Sequence, residues 1–268
     1  AEVPFSHLHV HSQFSVLQAV SPVNELVAAA KEMGMPALAV TDHGNMMAAF
    51  QFVRTCSKEG IKPIVGAELN VCRDMHDKSV KDNGYPTVFL AKNKKGYHNL
   101  AKLASKAYTD GFYYVPRIDR SLVEEYKNDL IVLTGGLFGE VPSLILNVGE
   151  TQAEEALLFW KSLMGDDFYV ELNRHGLEEE VVVNETLMSL ASKHGVKLVA
   201  SNNSYYTRQD QSEAHDILLC VKDARNVSEP KRYVGKRGRE FRFGFPNDSF
   251  YLKSPEEMKR LFADVPEA

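Results

Sequence analysis

The chain has 268 residues, of which 44% are hydrophobic, 10% aromatic and 25% charged. These proportions are typical of a globular protein that buries a large core, in one large α/β domain or two small ones. The net charge of −5 gives no overall field that favours wrapping a nucleic acid, so any such contact has to be local. We find no apolar run near the roughly 20 residues of a membrane span, no signal pattern, and only three scattered cysteines. We therefore expect a soluble cytoplasmic protein with reduced thiols.

Short β-rich runs alternate with longer helical patterns as far as residue 201. Strands are predicted at 5–10, 37–41, 63–71, 87–92, 130–134, 168–173 and 197–201. Helices are predicted at 21–34, 45–59, 95–107, 152–164 and 178–194. This series predicts a parallel sheet, and the lack of a clear boundary favours closure into a barrel over an open, doubly wound sheet.

The alternation stops after residue 201, where two further helices are predicted at 212–221 and 254–262, with a loop-like segment between them. We therefore predict one domain over residues 1–268. It consists of a barrel at about 3–204 and a short mixed C-terminal extension at about 205–268.

Polar side chains follow the predicted strands at the ends where barrel enzymes hold their chemistry. They are His9 and His11, Asp42 and His43, Glu68, His98, and Glu171 with His175. Imidazole and carboxylate together suit zinc, manganese or iron, and pairs of such ions commonly hydrolyse phosphate esters. The sequence therefore predicts a metal site at this rim.

Some of these residues have a purely structural alternative. A lone histidine is more often a surface or hydrogen-bonded core residue than a ligand, and we predict that role for His7. His9 and His11 differ, because two imidazoles on one strand face are costly to bury unless their lone pairs are used. Asp42 is either a helix N-cap or a side chain that supports a ligand.

In order along the chain, several motifs resemble a known family. The segments "HLHVHS", "LAVTDHGNM", "KPIVGAELNV" and "KKGYHNLAKLASKAY" resemble the PHP (polymerase and histidinol phosphatase) family. Later segments, including "FYVELNRHGLEEE" and "AHDILLCVKDARNVSEPKR", resemble the N-terminal region of bacterial replicative DNA polymerase III α subunits. The resemblance covers essentially the whole chain and implies a distorted seven-stranded, TIM-like β/α barrel. It also implies that the polymerase palm, thumb and fingers are absent from this chain.

The resemblance also implies a larger set of metal ligands, only part of which is present. The matched positions are His9, His11, His43, Glu68 and His98, and the degenerate ones are Gln18, Gly136, Asn203 and Tyr205. Because only one carboxylate is matched, several dications would not be neutralised. We expect zinc or manganese at partial occupancy, or no metal, with Asp42 and His175 in supporting positions. The magnesium of the polymerase reaction belongs to the absent domains.

The function implied by the resemblance is a structural barrel that docks partners and has no more than a trace of phosphoesterase activity. The implied partners are the remaining domains of the α subunit, the proofreading exonuclease subunit, and DNA through the full-length polymerase. The alternatives are an active metal-dependent phosphoesterase or 3′–5′ exonuclease, and a free-standing histidinol-phosphatase-type enzyme.

A basic segment near the C-terminus needs its own interpretation. Lys236, Arg237, Arg239 and Arg242 are interleaved with aromatic residues such as Phe241. Such clusters can follow phosphates while aromatic rings stack on bases. A solvated loop, or a contact with the other polymerase domains, is the simpler interpretation and the one that we favour.

Overall fold

The computed structural model describes residues 3–235 and 238–268. Its strands are β1 (Ala37–His43), β2 (Lys62–Cys72), β3 (Tyr85–Ala91), β4 (Ile118–Asp119), β5 (Leu130–Leu133), β6 (Phe168–Asn173), β7 (Lys197–Ser201), β8 (Lys231–Arg232) and β9 (Arg242–Phe243). Its helices are α1 (Val23–Glu32), α2 (Ala49–Glu59), α3 (Lys94–Thr109), α4 (Arg120–Tyr126), α5 (Glu140–Asn147), α6 (Glu150–Met164), α7 (Glu178–His194), α8 (Ser212–Asp223) and α9 (Pro255–Leu261). Within these residues, no helix has the length and apolarity needed to cross a membrane.

A curled sheet of seven strands forms the centre of the domain, in the order β1-β2-β3-β5-β6-β7, with β4 paired to the end of β2. Strands β1, β2 and β4 pair in parallel, as do β5, β6 and β7. The prediction of an all-parallel sheet is wrong at β3, which runs antiparallel to both β2 and β5. The physical reason is the connection: residues 73–84 between β2 and β3 form no crossover helix, and only such a crossover returns the chain in the parallel direction.

The first predicted strand, at 5–10, is an extended segment with an isolated bridge at Val10 and not a regular strand. Its carbonyl groups at His7 and Val10 accept hydrogen bonds from amides of β1 at 3.0 and 2.8 Å. On its other side, the amide of His11 donates to the carbonyl of Ser204, just after β7, at 2.9 Å. The segment thus lies between the two edge strands and joins them, which confirms the distorted barrel.

The predicted helices are present as α1, α2, α3, α6, α7, α8 and α9; α7 has the predicted bounds and the others have shifted ends, and α4 and α5 are additional. Helix α2 begins at Ala49 because the preceding residues form a turn in which the Asn45 side chain accepts from the amide of Met47 at 3.1 Å. An asparagine that bonds its own neighbouring backbone competes with helix formation.

The C-terminal residues pack onto the barrel through an aromatic cluster that contains Tyr206, Leu219, Phe245 and Phe250. The side chain of Asn247 also donates to the carbonyl of His175, after β6, at 2.7 Å. Helix α8 and strands β8 and β9 are therefore held at the end of the barrel where β6 and β7 finish.

Candidate metal centre

Glu68 and Glu171 reach the same end of the barrel because of strand alternation. Along a strand, every second side chain faces the same side. An apolar cluster of strand residues, which includes Leu90 and Leu133, fills the barrel below them. Glu68 in β2, paired with His43 at the end of β1, and Glu171 in β6 lie beyond this apolar layer and are 6% and 1% exposed. Carboxylates from separate strands thus meet in a buried, polar layer.

His9 lies between these two carboxylates. Its Nδ1 is 2.8 Å from Oε2 of Glu171, and its Nε2 is 2.7 Å from Oε2 of Glu68. Burial opposes a charge on the imidazole, but Glu171 and Glu68 outweigh that effect and raise the pKa of His9 to about 10. At neutral pH without a metal, His9 is therefore an imidazolium that donates to both carboxylates. The sequence had placed Glu171 at the rim but had not paired it with His9.

Glu68 is contacted by three imidazoles. Besides His9, Nδ1 of His43 lies 2.8 Å from Oε1, and Nε2 of His11 lies 3.3 Å from Oε2. Burial alone would raise the pKa of Glu68, but the charge of His11 and hydrogen bonds from the histidines hold it well below its usual range. Glu68 is thus the anionic centre of the site.

The donor atoms of His9, His11 and Glu68 all lie within 4.8 Å of one another, close enough to bind one metal ion. Nδ1 of His11 lies 3.3 Å from the carbonyl oxygen of Ser204, which can only accept a hydrogen bond, so a neutral His11 carries its proton on Nδ1 and keeps the lone pair of Nε2 for a metal ion. Two imidazoles and a carboxylate fit zinc or manganese. Glu171, on the far nitrogen of His9, would orient that imidazole as a supporting carboxylate does in many zinc sites.

Comparison with known proteins identifies the family of this chain. The family model described as PHP domain matches residues 7–175. The chain belongs to the PHP domain family. It is also 42% identical over 272 residues to the DNA polymerase III subunit alpha of Treponema pallidum, and 38% identical over 268 residues to that of Borreliella burgdorferi. The alignments cover 100% and 98% of this chain but 22% of each relative, so the PHP domain spans about a fifth of their length.

Solved structures support the fold. A putative metal-dependent phosphoesterase from Bifidobacterium adolescentis aligns with a TM-score of 0.52 at 10% identity, covering 75% of this chain and 88% of that one. An amidohydrolase from Chromobacterium violaceum aligns with a TM-score of 0.51 at 12% identity, covering 75% and 87%. At such low identities the likeness establishes the fold alone.

The four positions that the resemblance marks as degenerate lie near the same cluster. The ring of Tyr205 stacks on His11 with centroids 4.2 Å apart, and Gln18 lines the cleft above Glu68. A Cβ atom at Gly136 would have the side-chain amides of Asn203 and Asn173 as its nearest neighbours, at 3.7 and 3.9 Å. The structure therefore places all the substituted positions around His9, His11 and Glu68.

The expectation that His98 is a metal ligand needs correction, because His98 does not lie near this cluster. It lies exposed on α3, which follows β3. Because β3 is antiparallel, its last residue, Ala91, pairs with Leu130 at the beginning of β5. Helix α3 therefore begins at the opposite end of the barrel, and His98 is left out of the ligand set that we propose.

Asp42 and His175, which we expected in supporting positions, are both buried and hydrogen-bonded. Asp42 accepts hydrogen bonds from the backbone amide and hydroxyl of Ser12 and from the hydroxyl of Ser15, at 2.6 to 2.8 Å. It thus fixes the turn after His11, and the N-cap alternative is wrong because α2 begins later. His175 is buried, with Nδ1 2.6 Å from Glu180, and stacks on Phe250. Burial outweighs Glu180 and lowers the pKa of His175, which keeps it neutral in the loop after β6.

His7 also lies apart from the cluster. It is fully buried, and its Nε2 lies 2.7 Å from the carbonyl of Lys253. Burial lowers its pKa to about 4, so the ring is neutral and donates to that carbonyl. His7 has the core position that the sequence suggested.

A cleft of about 240 Å³ opens over Glu68 and His43. Five aromatic side chains contribute to its wall: Phe138, Tyr205, Tyr233, Phe243 and Phe245. Several of these come from the C-terminal extension, so the extension completes the cleft. Sequence reasoning missed this wall because its members are far apart along the chain.

The basic segment is only partly described by the structure. Lys236 and Arg237 lie outside the described residues. Arg239 is exposed, whereas Arg242 is 4% exposed and binds Asp216 through two hydrogen bonds at 2.8 and 2.9 Å. The interpretation of Arg242 as a nucleic-acid contact is therefore wrong, because its guanidinium is already engaged inside the fold.

Proposed function

We propose that this chain is the PHP domain of a bacterial DNA polymerase III α subunit, where it serves as a rigid barrel for docking and does not hydrolyse phosphate esters. The full-length protein would then be a cytoplasmic, magnesium-dependent DNA polymerase, a nucleotidyltransferase that synthesises DNA. Its partners would be the remaining α-subunit domains, the proofreading exonuclease subunit and DNA. The proposal rests on the similarity to α subunits along the whole chain and on the composition of the metal centre.

The small negative charge of the metal centre is the observation on which the proposed lack of hydrolytic activity rests. Glu68 and Glu171 supply two negative charges, and the imidazolium of His9 cancels one of them. Gln18 and Asn203 are neutral, and Gly136 offers no ligand atom. This set can neutralise one dication once His9 loses its proton, but not the two or more that bridge and activate a phosphate ester.

Tyr205 further limits the site. Its ring covers one face of His11 at a centroid distance of 4.2 Å. Burial, with a contribution from the nearby charge of Glu68, raises the pKa of Tyr205 well above its ordinary value. A phenol that stays protonated is a poor metal ligand. When zinc or manganese is bound, it would supply Lewis acidity at His9, His11 and Glu68, with Glu171 orienting His9.

The alternative of an active phosphoesterase or 3′–5′ exonuclease is favoured by one observation, the open cleft directly over a preserved ligand set. The test is to load the purified 268-residue chain with manganese or zinc and to measure release of the 3′-terminal nucleotide from labelled single-stranded DNA. We expect no release above that of His9→Ala, and at most one metal ion per chain by plasma mass spectrometry. Manganese-dependent cleavage that His9→Ala abolishes would establish the alternative.

A further inference from the structure

The helical layer around the barrel has a gap over β2. In a β/α barrel, each crossover helix covers the outside of the strands that it joins. The β2–β3 connection, residues 73–84, contains no helix, and the helices packed most closely against β2 are α2 and α3. Pro63 and Val65 of β2 are consequently only half-buried. A groove is left between the two helices where another barrel of this type would carry a further helix.

This groove has a volume of about 610 Å³ and an apolar lining. Its most exposed large apolar side chain is Phe50 on α2, at 79%, and both Val53 on α2 and Tyr97 on α3 are 37% exposed. A continuous apolar surface of this kind is unfavourable in water and commonly marks a binding surface. It lies apart from the cleft over Glu68 and shares no residue with it.

The charged residues that line the groove are all basic, although Asp129 and Asp167 lie just outside it, bound to Asn93 and Lys92. Arg54, Lys92 and Lys94 line it, and no acidic residue belongs to the described lining. Lys92 is engaged by Asp167 at 2.9 Å. Arg54 and Lys94 make no ion pair with any residue that the structure describes. The groove therefore offers two unengaged cations beside an apolar floor.

We propose that this groove is a docking site for an amphipathic helix of another protein, whose apolar stripe is flanked by acidic residues. We expect the partner to be helical because the groove has a strand as its floor and a helix on each side, which is the place that a covering helix takes on a sheet. The acidic flanks follow from charge complementarity with Arg54 and Lys94. The inference rests on the docking role proposed above and gives that role a surface; it is independent of the metal centre.

The test uses a fluorescein-labelled helical peptide of about 18 residues, with leucines on one side and glutamates at both ends, and a twin with lysines in place of the glutamates. Binding to the 268-residue chain is measured by fluorescence anisotropy. We expect saturable binding of the acidic peptide only. Phe50→Ser should weaken it about tenfold, since a central aromatic anchor is lost, and Arg54→Glu should weaken it in a salt-dependent manner.

Both substitutions are at exposed positions, so the fold should be retained, and Val181→Ser on α7, where Val181 is 60% exposed, is the matched control. No saturable binding, equal binding of the two peptides, or no effect of Phe50→Ser would overturn the proposal. So would a dimer in sedimentation that Phe50→Ser dissociates, since the occupant would then be a second copy. If the peptide binds this chain but not the full-length polymerase, another part of the same polypeptide fills the groove, and the proposal of a separate partner fails. None of these outcomes affects the nuclease and metal assays.

Discussion

The charged pair between His9 and Glu171 should make the stability of the metal-free protein depend on pH. Replacing both residues by glutamine removes the charges, keeps polar side chains of similar size, and leaves no carboxylate at 171 to take up a proton in place of the histidine. Glu68 keeps His11 and His43 as partners in this variant.

The magnitude follows from the raised pKa. His9 titrates at about 10 in the folded protein, and an unfolded histidine titrates near 6.5. A folded pKa above the unfolded value gives stabilisation that is complete below about pH 6.5 and is lost as the pH rises through about 10. At about 1.4 kcal/mol per pH unit, the charge on His9 contributes about 4 kcal/mol at pH 7 and about 2 kcal/mol at pH 8.5.

The assay is urea unfolding at these two pH values in the presence of a chelator. The native protein should lose about 2 kcal/mol more of its free energy of unfolding between pH 7 and 8.5 than the double variant does. Burial lowers the pKa of Lys253 to about 8, which gives a dependence of opposite sign, but this lysine is common to both proteins. Equal pH dependence in the two proteins would refute the assignment of an imidazolium to His9.

Three further predictions concern other parts of the molecule. Burial lowers the pKa of His7 and of His215, which lies in α8, to about 4. The free energy of unfolding should therefore fall by about 2 kcal/mol for each histidine as the pH falls from 7 to 5, and a flat pH profile in chemical denaturation would contradict this. Gly136→Cys should raise the zinc content measured by plasma mass spectrometry, because a Cβ there meets no atom closer than 3.7 Å and a thiolate adds an anionic ligand; an unchanged content would count against it. Arg242→Ala should lower the free energy of unfolding by roughly 3 kcal/mol, because the buried guanidinium is lost with its hydrogen bonds to Asp216 and to the carbonyl groups of Glu229 and Val227, whereas Arg239→Ala at an exposed position should change it by less than about 0.5 kcal/mol. Similar effects of the two arginine substitutions in chemical denaturation would show that the buried pair is not structural.

Local pattern was enough to predict the longer helices and strands from β1 onwards, although not α4, α5 or the two-residue strands, and it also placed most of the polar cluster. Apolar periodicity depends on which face of an element is buried, and residues at the ends of parallel strands necessarily meet at one end of a barrel. For this reason the sequence located His9, His11, His43 and Glu68 together. The resemblance to the PHP family indicated the positions at which an expected ligand is replaced, such as Tyr205.

The features that the sequence did not determine depend on contacts between distant segments. The reversal of β3 follows from its pairing with β2 and β5, and no local pattern in β3 itself distinguishes the two directions; that reversal separates His98 from the cluster. Arg242 resembled a basic surface residue until Asp216, 26 positions away, was placed beside it. Glu171 and His9, 162 positions apart, likewise become an ion pair only when the barrel closes. Side-chain type records what a residue can bind, but the tertiary structure alone decides which partner is within reach.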